Sequence, residues 1–476
     1  MIKRVNYSIL YGTGFYGEDS KFKSKILDKL PSDWNIHIIS RVPKKFVELP
    51  KRNHSYFYIY EDPIFNENLT LENIKNIEKW LEYPFELIIN HSRVLKNRKI
   101  DTNDRIKYYT YFAKIVVASK NFFIKNNIEI FTTTYVSEPS VLIPLIVAKR
   151  LGIKIINLIP GRLKKSIMIG GYNISFEDRR YLSKISDSEK EKVFYNLKEN
   201  LKNKQNPQYQ EIFEKEKFAY SAGLIDLIKK LKYIKKYKDF LNKLHPVDRE
   251  FQYTILELIL KTLIKKIRVI HHKRILEKPN YNEKYFFFPL HYTEDAVILT
   301  QEPFVNQVNI IKQISKVLPV GYKLYVKPHP HLLASDLSFK EINEIKNTPN
   351  VRLIDYNESP YKLILNSDGV ITINSTTGLE ALILEKPVIT FGHSVYAHND
   401  LCYVIRDFWE LKNVIFKIIK ENKRENIEKD NNIKKFIAQY YASQIPVNIA
   451  PGFIYDFNED TAKRIAEEIA YWANKS

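Results

Sequence analysis

The sequence predicts an α/β protein with two parallel-sheet domains, because two runs of the chain follow the order strand, polar turn, helix, strand. The first run spans residues 128–158 and the second spans residues 369–391. This order is the βαβ pattern of a parallel sheet. Between the runs, residues 175–280 are charged, nearly free of glycine and helical in pattern. We therefore expect a first domain at residues 1–280, including this basic helical segment, and a second at residues 281–476.

The composition is that of a folded globular protein. The chain has 476 residues, 44% of them hydrophobic, which is enough for two or three domains with their own cores. Its 75 Lys and Arg against 55 Asp and Glu give a net charge of +20, but no nucleic-acid-binding motif accompanies that charge and we expect no nucleic-acid partner. The single cysteine, Cys402, excludes an internal disulfide framework and predicts a cytoplasmic location. No secretory signal is recognisable, and no apolar stretch approaches the ~20 residues of a membrane span.

The first domain opens with a glycine-rich loop after a strand. The strand is predicted at Val5–Tyr11, and Gly12-Thr13-Gly14-Phe15-Tyr16-Gly17 follows it before a helix predicted at Lys21–Leu30. The loop has the spacing of a dinucleotide fingerprint, but two bulky aromatic residues stand inside it and no acidic residue follows at the distance of a ribose contact. Two interpretations stay open: a plain tight turn, or a loop that contacts an acceptor across a cleft.

Glu138 is the acidic candidate of the first domain. The strand predicted at Ile128–Tyr135 ends shortly before it, and a helix predicted at Val141–Leu151 follows it. Since ligands lie at the carboxyl ends of parallel strands, Glu138 could act as a general base on an acceptor hydroxyl, or as acid and base in a retaining reaction. The alternative is an acid that only stabilises the helix dipole. The cations that follow the next predicted strand, Ile153–Leu158, are candidates for contact with an anionic acceptor: Arg162, Lys164 and Lys165.

The helical segment carries two basic stretches, Lys229–Lys236 and Lys261–Arg274. A helix predicted at Ser186–Leu201 precedes them and opens with a sequence like a capping box. Most charge runs are solvated helix faces. The functional alternative is a surface that is attracted to anionic lipid head groups or to a polyanionic glycan.

The second domain carries a stiff turn at the end of a predicted strand. Tyr322–Val326 is the strand, and Lys327-Pro328-His329-Pro330 follows it. The two prolines fix φ and remove two donors, so His329 has a set direction and, with Lys327 beside it, suits the phosphate of a leaving group. His329 and His331 also have the spacing of two metal ligands on one strand face, but no cysteine or carboxylate cluster lies nearby and we expect no metal.

A hydroxyl-rich turn follows the strand predicted at Gly369–Ile373. Its sequence is Asn374-Ser375-Thr376-Thr377-Gly378-Leu379-Glu380-Ala381, and a helix predicted at Gly378–Leu384 begins inside it. The start of a helix binds phosphate, because its first N–H groups lack helical partners and the dipole end is positive. Gly378 would let the backbone come close to a ligand, and Glu380 could accept hydrogen bonds from ribose hydroxyls. The alternative is an ordinary helix cap, since Ser and Thr are the usual starters.

These two motifs resemble a known family. The KPHP turn, followed about 45 residues later by NSTTGLEALILEKPVITFG, is similar to the C-terminal half of the bacterial capsule polysaccharide biosynthesis family, the group that contains the β-Kdo transferases. More loosely, the motifs resemble those of bacterial sialyltransferases and polysialyltransferases. The match covers roughly residues 285–400. One departure is Glu385, where many relatives have glycine, and we interpret it as a surface change.

The resemblance implies a GT-B-like fold, in which two Rossmann-like domains face a cleft. The amphipathic helix predicted at Asp460–Trp472 would cross back from the second domain to the first. No cofactor is expected beyond a nucleotide-sugar donor, CMP-linked, which is the substrate. We expect the two motifs to meet on one phosphate across adjacent strand ends. The residues implied for nucleotide binding are Lys327, His329, Asn374, Ser375, Thr376, Thr377, Gly378, Glu380 and Gln307. The catalytic candidates are Glu138, His329 and Asp295, with His291 and Glu294 in second rank.

The function predicted from these residues and from the resemblance is sugar transfer. The donor would carry a CMP-activated acidic sugar such as Kdo or a sialic-acid-like sugar, and the acceptor would be a surface polysaccharide or a glycolipid. Two alternatives on the same fold are a glycerophosphotransferase with a CDP-linked donor and a UDP-sugar epimerase. An alternative of another class is a non-catalytic protein that binds polyanions or a membrane surface. The expected location is the cytoplasm, with peripheral association at the inner face of an anionic plasma membrane.

Overall fold

The computed structural model describes most of the chain. The described residues are 5–11, 18–133, 138–163, 166–171, 182–203, 224–293, 296–299, 306–329, 337–421, 427–450, 453–456 and 458–475. The predictions that fall outside them concern the glycine-rich loop 12–17, Lys164, Lys165, Glu294, Asp295, Pro330 and His331. Within the described ranges, no helix combines the length and the apolarity that are needed to cross a bilayer.

The first domain is built on a five-stranded parallel sheet. Its strands are β1 (Asn6–Tyr11), β2 (Asn35–Ser40), β3 (His54–Tyr58), β4 (Ile130–Thr132) and β5 (Lys154–Ile155). Their order is β3-β2-β1-β4-β5, and every pair is parallel. β1 is buried along nearly its whole length, as expected of a strand covered on both faces. Because the order turns back at β1 and β4, a ligand is expected outside these two strand ends.

Helices cover both faces of this sheet. They are α1 (Glu18–Leu27), α2 (Leu71–Leu81), α3 (Phe85–His91), α4 (Thr102–Lys125) and α5 (Pro139–Arg150), with short 3₁₀ helices at Lys44–Phe46, Ile59–Glu61, Pro63–Asn66 and Leu95–Asn97. One core cluster joins α4 and α5 to Phe131 of β4. A second cluster joins α1 to Ile9 of β1 on the opposite face.

The chain then leaves the first sheet and becomes helical. A hairpin of β6 (Asn157–Pro160) and β7 (Ser166–Gly170) is followed by α6 (Asp187–Lys202), α7 (Leu224–Lys243), α8 (Pro246–Glu250) and α9 (Ile255–Lys273). The predicted capping box at the start of α6 is confirmed, with Ser186 and Glu189 bonded reciprocally. α6 contributes Phe194 and Leu197 to the core cluster of the second sheet, so this helix packs with the second domain. The predicted division at residue 280 stays a prediction.

The second domain repeats the pattern of the first. Its strands are β8 (Lys284–Pro289), β9 (Tyr322–Lys327), β10 (Val351–Leu353), β11 (Gly369–Thr372), β12 (Val388–Thr390) and β13 (Tyr403–Val404). The order β10-β9-β8-β11-β12-β13 is that of the doubly wound nucleotide-binding folds, and the strands are parallel. The helices are α10 (Ala296–Leu299), α11 (Gln307–Val317), α12 (Phe339–Lys346), α13 (Pro360–Leu365), α14 (Thr376–Ile383), α15 (Phe408–Glu421) and α16 (Ile427–Ala442).

The end of the chain returns to the first domain. β14 (Ile445–Pro446) pairs antiparallel with β7, and a hairpin of β15 (Asn448–Ala450) and β16 (Phe453–Asp456) leads to α17 (Glu459–Asn474). Ile465, Ile469 and Trp472 of α17 join the core cluster around β1 and α1. The predicted crossing-back of the last helix is therefore confirmed. Two Rossmann-like sheets with such a return helix are the predicted GT-B-like architecture.

One local prediction fails for a tertiary reason. The segment Ile153–Leu158 is not one strand, because β5 pairs in the first sheet while β6 pairs with β7 in the three-stranded sheet β14-β7-β6. Glu385 is exposed, as expected of a surface change, and its φ of 57° lies in the left-handed region that favours glycine. Its carboxylate pairs with the ammonium of Lys198 on α6. The glycine that many relatives have at this position fits that backbone without strain.

Candidate functional site

The two predicted motifs flank one strand of the second sheet. β8 lies between β9 and β11, and since all three are parallel, their carboxyl ends open at the same edge. His329 follows β9 and Ser375 follows β11. The prediction of adjacent strands is therefore wrong, because β8 and its own polar residues stand between the motifs. The sheet order turns back between β8 and β11, which is the position where doubly wound sheets bind ligands.

The strand between the motifs ends in a buried histidine. Nε2 of His291 accepts the backbone N–H of Ile373 at 3.4 Å and lies 3.2 Å from Oγ1 of Thr372. Burial, and secondarily the positive charge of Arg162, lower the pKa of His291 to about 3. His291 is therefore neutral at physiological pH. It ties β8 to β11 and leaves the positive charge of the site to other residues.

Gln307 holds the backbone of His291. Its amide oxygen accepts the His291 N–H at 2.8 Å, and its amide nitrogen donates to the His291 carbonyl at 3.1 Å. Gln307 is also buried. The structure thus gives Gln307 a positioning role, while the predicted contact with the nucleotide stays a prediction.

Ser375 begins α14 as its cap. Its Oγ accepts the backbone N–H of Thr377 at 3.1 Å, which is the ordinary capping role that the sequence left open. Ser375, Thr376 and Thr377 are each only half-buried. They stand at the positive end of the helix dipole, so the cap and an anion site are compatible.

Gly378 has a packing role that the sequence did not reveal. A Cβ at this position would lie 2.4 Å from the hydroxyl oxygen of Tyr396. That hydroxyl donates to the carbonyl of Ser375 at 2.6 Å. Tyr396 therefore occupies the space beside the first turn of α14, and glycine is required there for the ring to fit.

Lys327 links the first motif to the second. Its side chain is 3% exposed. Burial lowers the pKa of Lys327 to about 8, and the carboxylates of Asp355, Glu380 and Glu358 oppose that shift. Because Glu380 belongs to α14, the end of β9 and the start of α14 share one electrostatic environment. His329 stands two residues beyond Lys327 and is half-buried.

Arg162 brings a further cation to this place from outside the second sheet. It follows β6, and its guanidinium Nη1 donates to the backbone carbonyl of Asn374 in the hydroxyl-rich turn. Its charge also acts on His291 and on Tyr396. The sequence predicted contact with an anionic acceptor for Arg162, whereas the structure places this cation beside the predicted donor motif.

Glu138 lies at the carboxyl edge of the first sheet. Its Oε2 is 3.4 Å from Nη1 of Arg41, a buried residue that follows β2. Although Glu138 stands at the cap position of α5, its side chain makes no capping hydrogen bond. Its side chain is 20% exposed. The carboxylate is therefore held by a cation and is still partly exposed at the carboxyl edge of the first sheet.

A second acidic residue, Asp248, lies near Arg41 in the protein interior. Asp248 of α8 is fully buried, and burial raises the pKa of its carboxyl, with the charge of Arg41 opposing the rise and that of Glu138 adding to it. Nη1 of Arg41 also lies 3.2 Å from Oγ of Ser140, to which it donates. Arg41 thus pairs with Glu138 and acts on Asp248 through its charge. No sequence signal pointed to Arg41 or Asp248, because their proximity depends on the helical segment folding back onto the first sheet.

Contacts between the domains surround the loop that follows β8. Nζ of Lys96, in the first domain, donates to the carbonyl of Thr293 at 2.6 Å. Nζ of Lys265, on α9, lies 5.9 Å from the centre of the Tyr292 ring. Together with the contact of Arg162, they show that the carboxyl edge of the second sheet faces the first domain.

Some predicted site residues cannot be placed in this arrangement. Asp295 and Glu294 lie outside the described residues, and so does His331, the second histidine of the metal alternative. In the part of the chain that the structure describes, no group of three or more His, Cys, Asp or Glu side chains is arranged to hold a metal ion.

Comparison with known proteins identifies the family of this region. Residues 178–413 match the family model described as "Capsule polysaccharide biosynthesis protein". That part of the chain belongs to the capsule polysaccharide biosynthesis family. The match includes both motifs and all six strands of the second sheet, so the resemblance inferred from the sequence is confirmed. The whole first sheet, β1 to β5, lies outside the match.

Curated relatives and solved structures are also similar to the chain. Protein FixF of Sinorhizobium fredii (strain NBRC 101917 / NGR234) is 31% identical over 121 residues, 25% of this chain and 28% of FixF. Capsule polysaccharide modification protein LipB of Neisseria meningitidis serogroup A / serotype 4A is 26% identical over 171 residues, 34% of this chain and 41% of LipB. The chain thus covers less than half the length of each curated relative it matches. The structure of Thermosulfurimonas dismutans KpsC, beta Kdo 2,7 transferase, has a TM-score of 0.34 and 15% identity, covering 75% of this chain and 89% of that one.

Proposed function

We propose that the protein is a glycosyltransferase that moves a CMP-activated acidic sugar, such as Kdo, onto a surface polysaccharide or glycolipid acceptor. The observation that carries this proposal is the gathering of groups suited to phosphate binding at the switch point of the second sheet. They come from three separate stretches of the chain: the turn with Lys327 and His329 follows β9, Ser375 begins α14 after β11, and Arg162 donates to the turn after β11. β8 lies between these two strands. The family match supports a role in capsule synthesis, and the likeness of the two motifs to β-Kdo transferases suggests the donor.

The proposed chemistry at this edge is stabilisation of the leaving phosphate. As the bond between the anomeric carbon and the phosphate oxygen breaks, negative charge grows on the phosphate. The positive end of α14, the guanidinium of Arg162 and the ammonium of Lys327 would stabilise that charge, and preorganised groups of this kind supply much of a catalytic rate. His329 would donate a hydrogen bond to the same phosphate. Lys327 is protonated at neutral pH, because its pKa of about 8 is lowered only part of the way by burial.

The proposed chemistry at the first edge is activation of the acceptor. Glu138 would accept the proton of the attacking hydroxyl, and its ion pair with Arg41 would hold the carboxylate in place. Asp295 stays a second candidate for an acid or base. We propose that the reaction takes place in the cytoplasm at the inner face of the plasma membrane, because a glycolipid acceptor would be held there.

The first test is the His329→Ala variant. We expect kcat/KM for donor turnover, followed as CMP release, to fall about 100-fold or more, since one donor aimed at the developing charge is lost. His54→Ala is the matched control. His54 begins β3, so it lies at the amino ends of the strands of the first sheet, away from the carboxyl edges that form the candidate site. Near-normal turnover by His329→Ala would remove His329 from the proposal.

The second test separates the alternative enzymes. A nucleotide that binds the folded protein raises its apparent stability, by about 2.7 kcal/mol at a hundred times Kd. We expect CMP to raise the melting temperature. A response to CDP alone would favour a glycerophosphotransferase, and a response to UDP alone would favour an epimerase. No response to any of the three, with loss of function on substituting the basic helical segment, would favour the non-catalytic alternative.

A further inference from the structure

Helix α9 presents its apolar side to solvent. Five leucine and isoleucine side chains along one stripe of the helix are between 49% and 66% exposed, and we call them the outer stripe: Leu256, Leu260, Leu263, Ile267 and Ile270. Their spacing of three or four residues places them on one face over the length of the helix. Contiguous apolar surfaces of this kind mark interaction sites on otherwise soluble proteins.

The polar side of the same helix faces the protein. The Glu257 carboxylate makes two hydrogen bonds with the Arg98 guanidinium, at 3.1 and 3.0 Å. Nζ of Lys261 donates to the hydroxyl of Tyr253 at 2.8 Å. The basic stretch is therefore only partly a solvated face: Lys261, Lys265, Lys266 and Arg268 are half-buried, whereas Lys273 and Arg274 at its end are exposed.

Contacts at the C-terminal end prevent the helix from turning its apolar side inward. His272 is fully buried, and its ring centre lies 5.9 Å from that of Phe339. Val269 is buried as well. Since α9 is held at both ends by residues on the side opposite the outer stripe, the exposure of the stripe is a fixed feature of the fold.

We propose that the outer stripe of α9 lies in the interface of an anionic lipid bilayer. The charge of the helix favours this occupant. The sequence Ile255–Lys273 has one acidic residue, Glu257, which is paired with Arg98, against five lysine and arginine residues. An amphipathic helix with an apolar face and basic flanks is the form that lies flat in a membrane surface, and anionic head groups attract such flanks.

The same charge speaks against a second copy of the chain as the occupant. Two stripes packed face to face would bring two basic helices together, and the protein as a whole has a net charge of +20. The neighbouring helix α7 adds exposed cations, Lys235 and Lys238, close to the residues that pack against α9. A bilayer with acidic lipids neutralises this charge, whereas a dimer concentrates it.

Docking through the outer stripe would set the position of the cleft. Lys265, on α9, contacts the ring of Tyr292, the residue that follows His291 in the loop after β8. Because Lys265 stands opposite the outer stripe, a membrane-bound α9 would hold this loop about one helix diameter, ~10 Å, from the bilayer surface. Docking to a membrane goes beyond the proposed function and does not depend on it. If the acceptor is linked to a lipid, a protein docked through α9 would have its cleft beside that acceptor.

The test is flotation of the full-length protein with lipid vesicles. We expect it to float with phosphatidylcholine vesicles that contain about one-third phosphatidylglycerol, and to float weakly with phosphatidylcholine alone. In the double variant Leu263→Gln, Ile267→Gln the partition coefficient is expected to fall about tenfold or more, because two large apolar side chains no longer enter the interface. Both residues are exposed, so the fold should tolerate the changes.

The matched control is the double variant Val320→Gln, Trp409→Gln, which removes two apolar side chains that are 104% and 87% exposed elsewhere. It should float like the wild type. Equal flotation of the α9 variant and the control, or no flotation of the wild type, would overturn the proposal. A dimer in sedimentation that only the α9 variant loses, without vesicle binding, would show a second copy as the occupant. The CMP-induced rise in melting temperature should stay unchanged in the α9 variant, so docking and donor binding can fail separately.

Discussion

The carboxyl edges of the two sheets have the same topology and opposite chemistry. In both sheets the order turns back at the first and fourth strands of the unit, β1 and β4 in one and β8 and β11 in the other. The first edge carries Glu138 and the buried Asp248 around one guanidinium, that of Arg41. The second edge carries Arg162, Lys327 and the positive start of α14 around the neutral His291.

This difference fits the two tasks of the proposed transfer reaction. The proposed donor phosphate would bind at the second edge, where positive charge and N–H groups are concentrated. The proposed acceptor hydroxyl would lose its proton at the first edge, where a carboxylate is held in place by a cation. The arginine at each edge also comes from a different part of the chain. Arg41 directly follows β2 of the first sheet, whereas Arg162 reaches the second sheet from the hairpin of β6 and β7.

The largest expected effect comes from removing the cation of the second edge. Arg162→Ala should lower kcat/KM for donor turnover about a thousandfold and weaken CMP binding, because the proposed charge-assisted contact to the leaving phosphate would be lost. Arg162→Lys should restore part of the rate, since it keeps the charge but not the planar fork. Steady-state kinetics with varied donor measures both.

The control for this change is Arg150→Ala, which breaks an exposed pair with Glu82 and should leave kinetics unaltered. If Arg162→Ala raised KM for the acceptor alone, with donor kinetics intact, the contact predicted from sequence would be the right one and the comparison of the two edges would fail.

The next effect comes from the acid of the first edge. Glu138→Gln should lower kcat about a hundredfold, because the general base is lost, while the CMP-induced shift in melting temperature stays as in the wild type. Glu82→Gln, at the exposed pair with Arg150, serves as the control. An unchanged kcat would reduce Glu138 to a partner of Arg41.

A buried histidine with a lowered pKa in each domain, His91 in the first and His291 in the second, makes stability depend on pH. Burial lowers the pKa of His291 to about 3 and that of His91, in α3, to about 4. Below pH 6.5 these histidines are protonated in the unfolded chain but stay neutral in the folded protein. Their contribution to the free energy of unfolding is therefore complete above pH 6.5 and is lost as the pH falls toward 4 for His91 and toward 3 for His291. Each histidine lowers the free energy of unfolding by about 1.4 kcal/mol per pH unit in this range.

The measurement is denaturant unfolding of the wild type and of His291→Gln at pH 6.5 and pH 5. The variant should lose about 2 kcal/mol less than the wild type over this range, because glutamine does not titrate. Ser338→Ala, which removes no titrating side chain, should follow the wild type in its pH dependence. Equal pH dependence in all three would mean that His291 is protonated in the folded protein.

The smallest effect separates capping from anion binding. Ser375→Ala and Ser338→Ala each remove a helix cap in the second domain, at α14 and α12. Both should cost about 1 kcal/mol of stability, since both lose a hydrogen bond to a first-turn N–H. Only Ser375→Ala should also weaken the response to CMP in thermal melting. Equal responses would make Ser375 an ordinary cap.

Local signals in the sequence predicted the strands and the start of the site. The strand predicted at Val5–Tyr11 is observed as β1 at Asn6–Tyr11, and the turns after β9 and β11 stand at the carboxyl edge where the apolar runs placed them. These features depend on neighbours along the chain: apolar runs that form strands, prolines that fix a turn, and hydroxyl residues that start a helix. The family resemblance rests on the same local pattern.

Long-range features escaped the sequence. Arg41 and Asp248 lie close together although about two hundred residues of chain separate them. The ring of Tyr396 is the reason that residue 378 must be glycine. β8 lies between the strands that carry the two motifs. The sequence of α9 also could not indicate which side of the helix faces solvent. Its apolar and polar residues have the same spacing whether the apolar side or the polar side is exposed. The sequence by itself determined the elements, their polar ends and the net charge, since these follow from neighbouring residues. Only the tertiary structure decided which charges meet and which face stays exposed, because partners distant in the chain are chosen by how the sheets and helices pack.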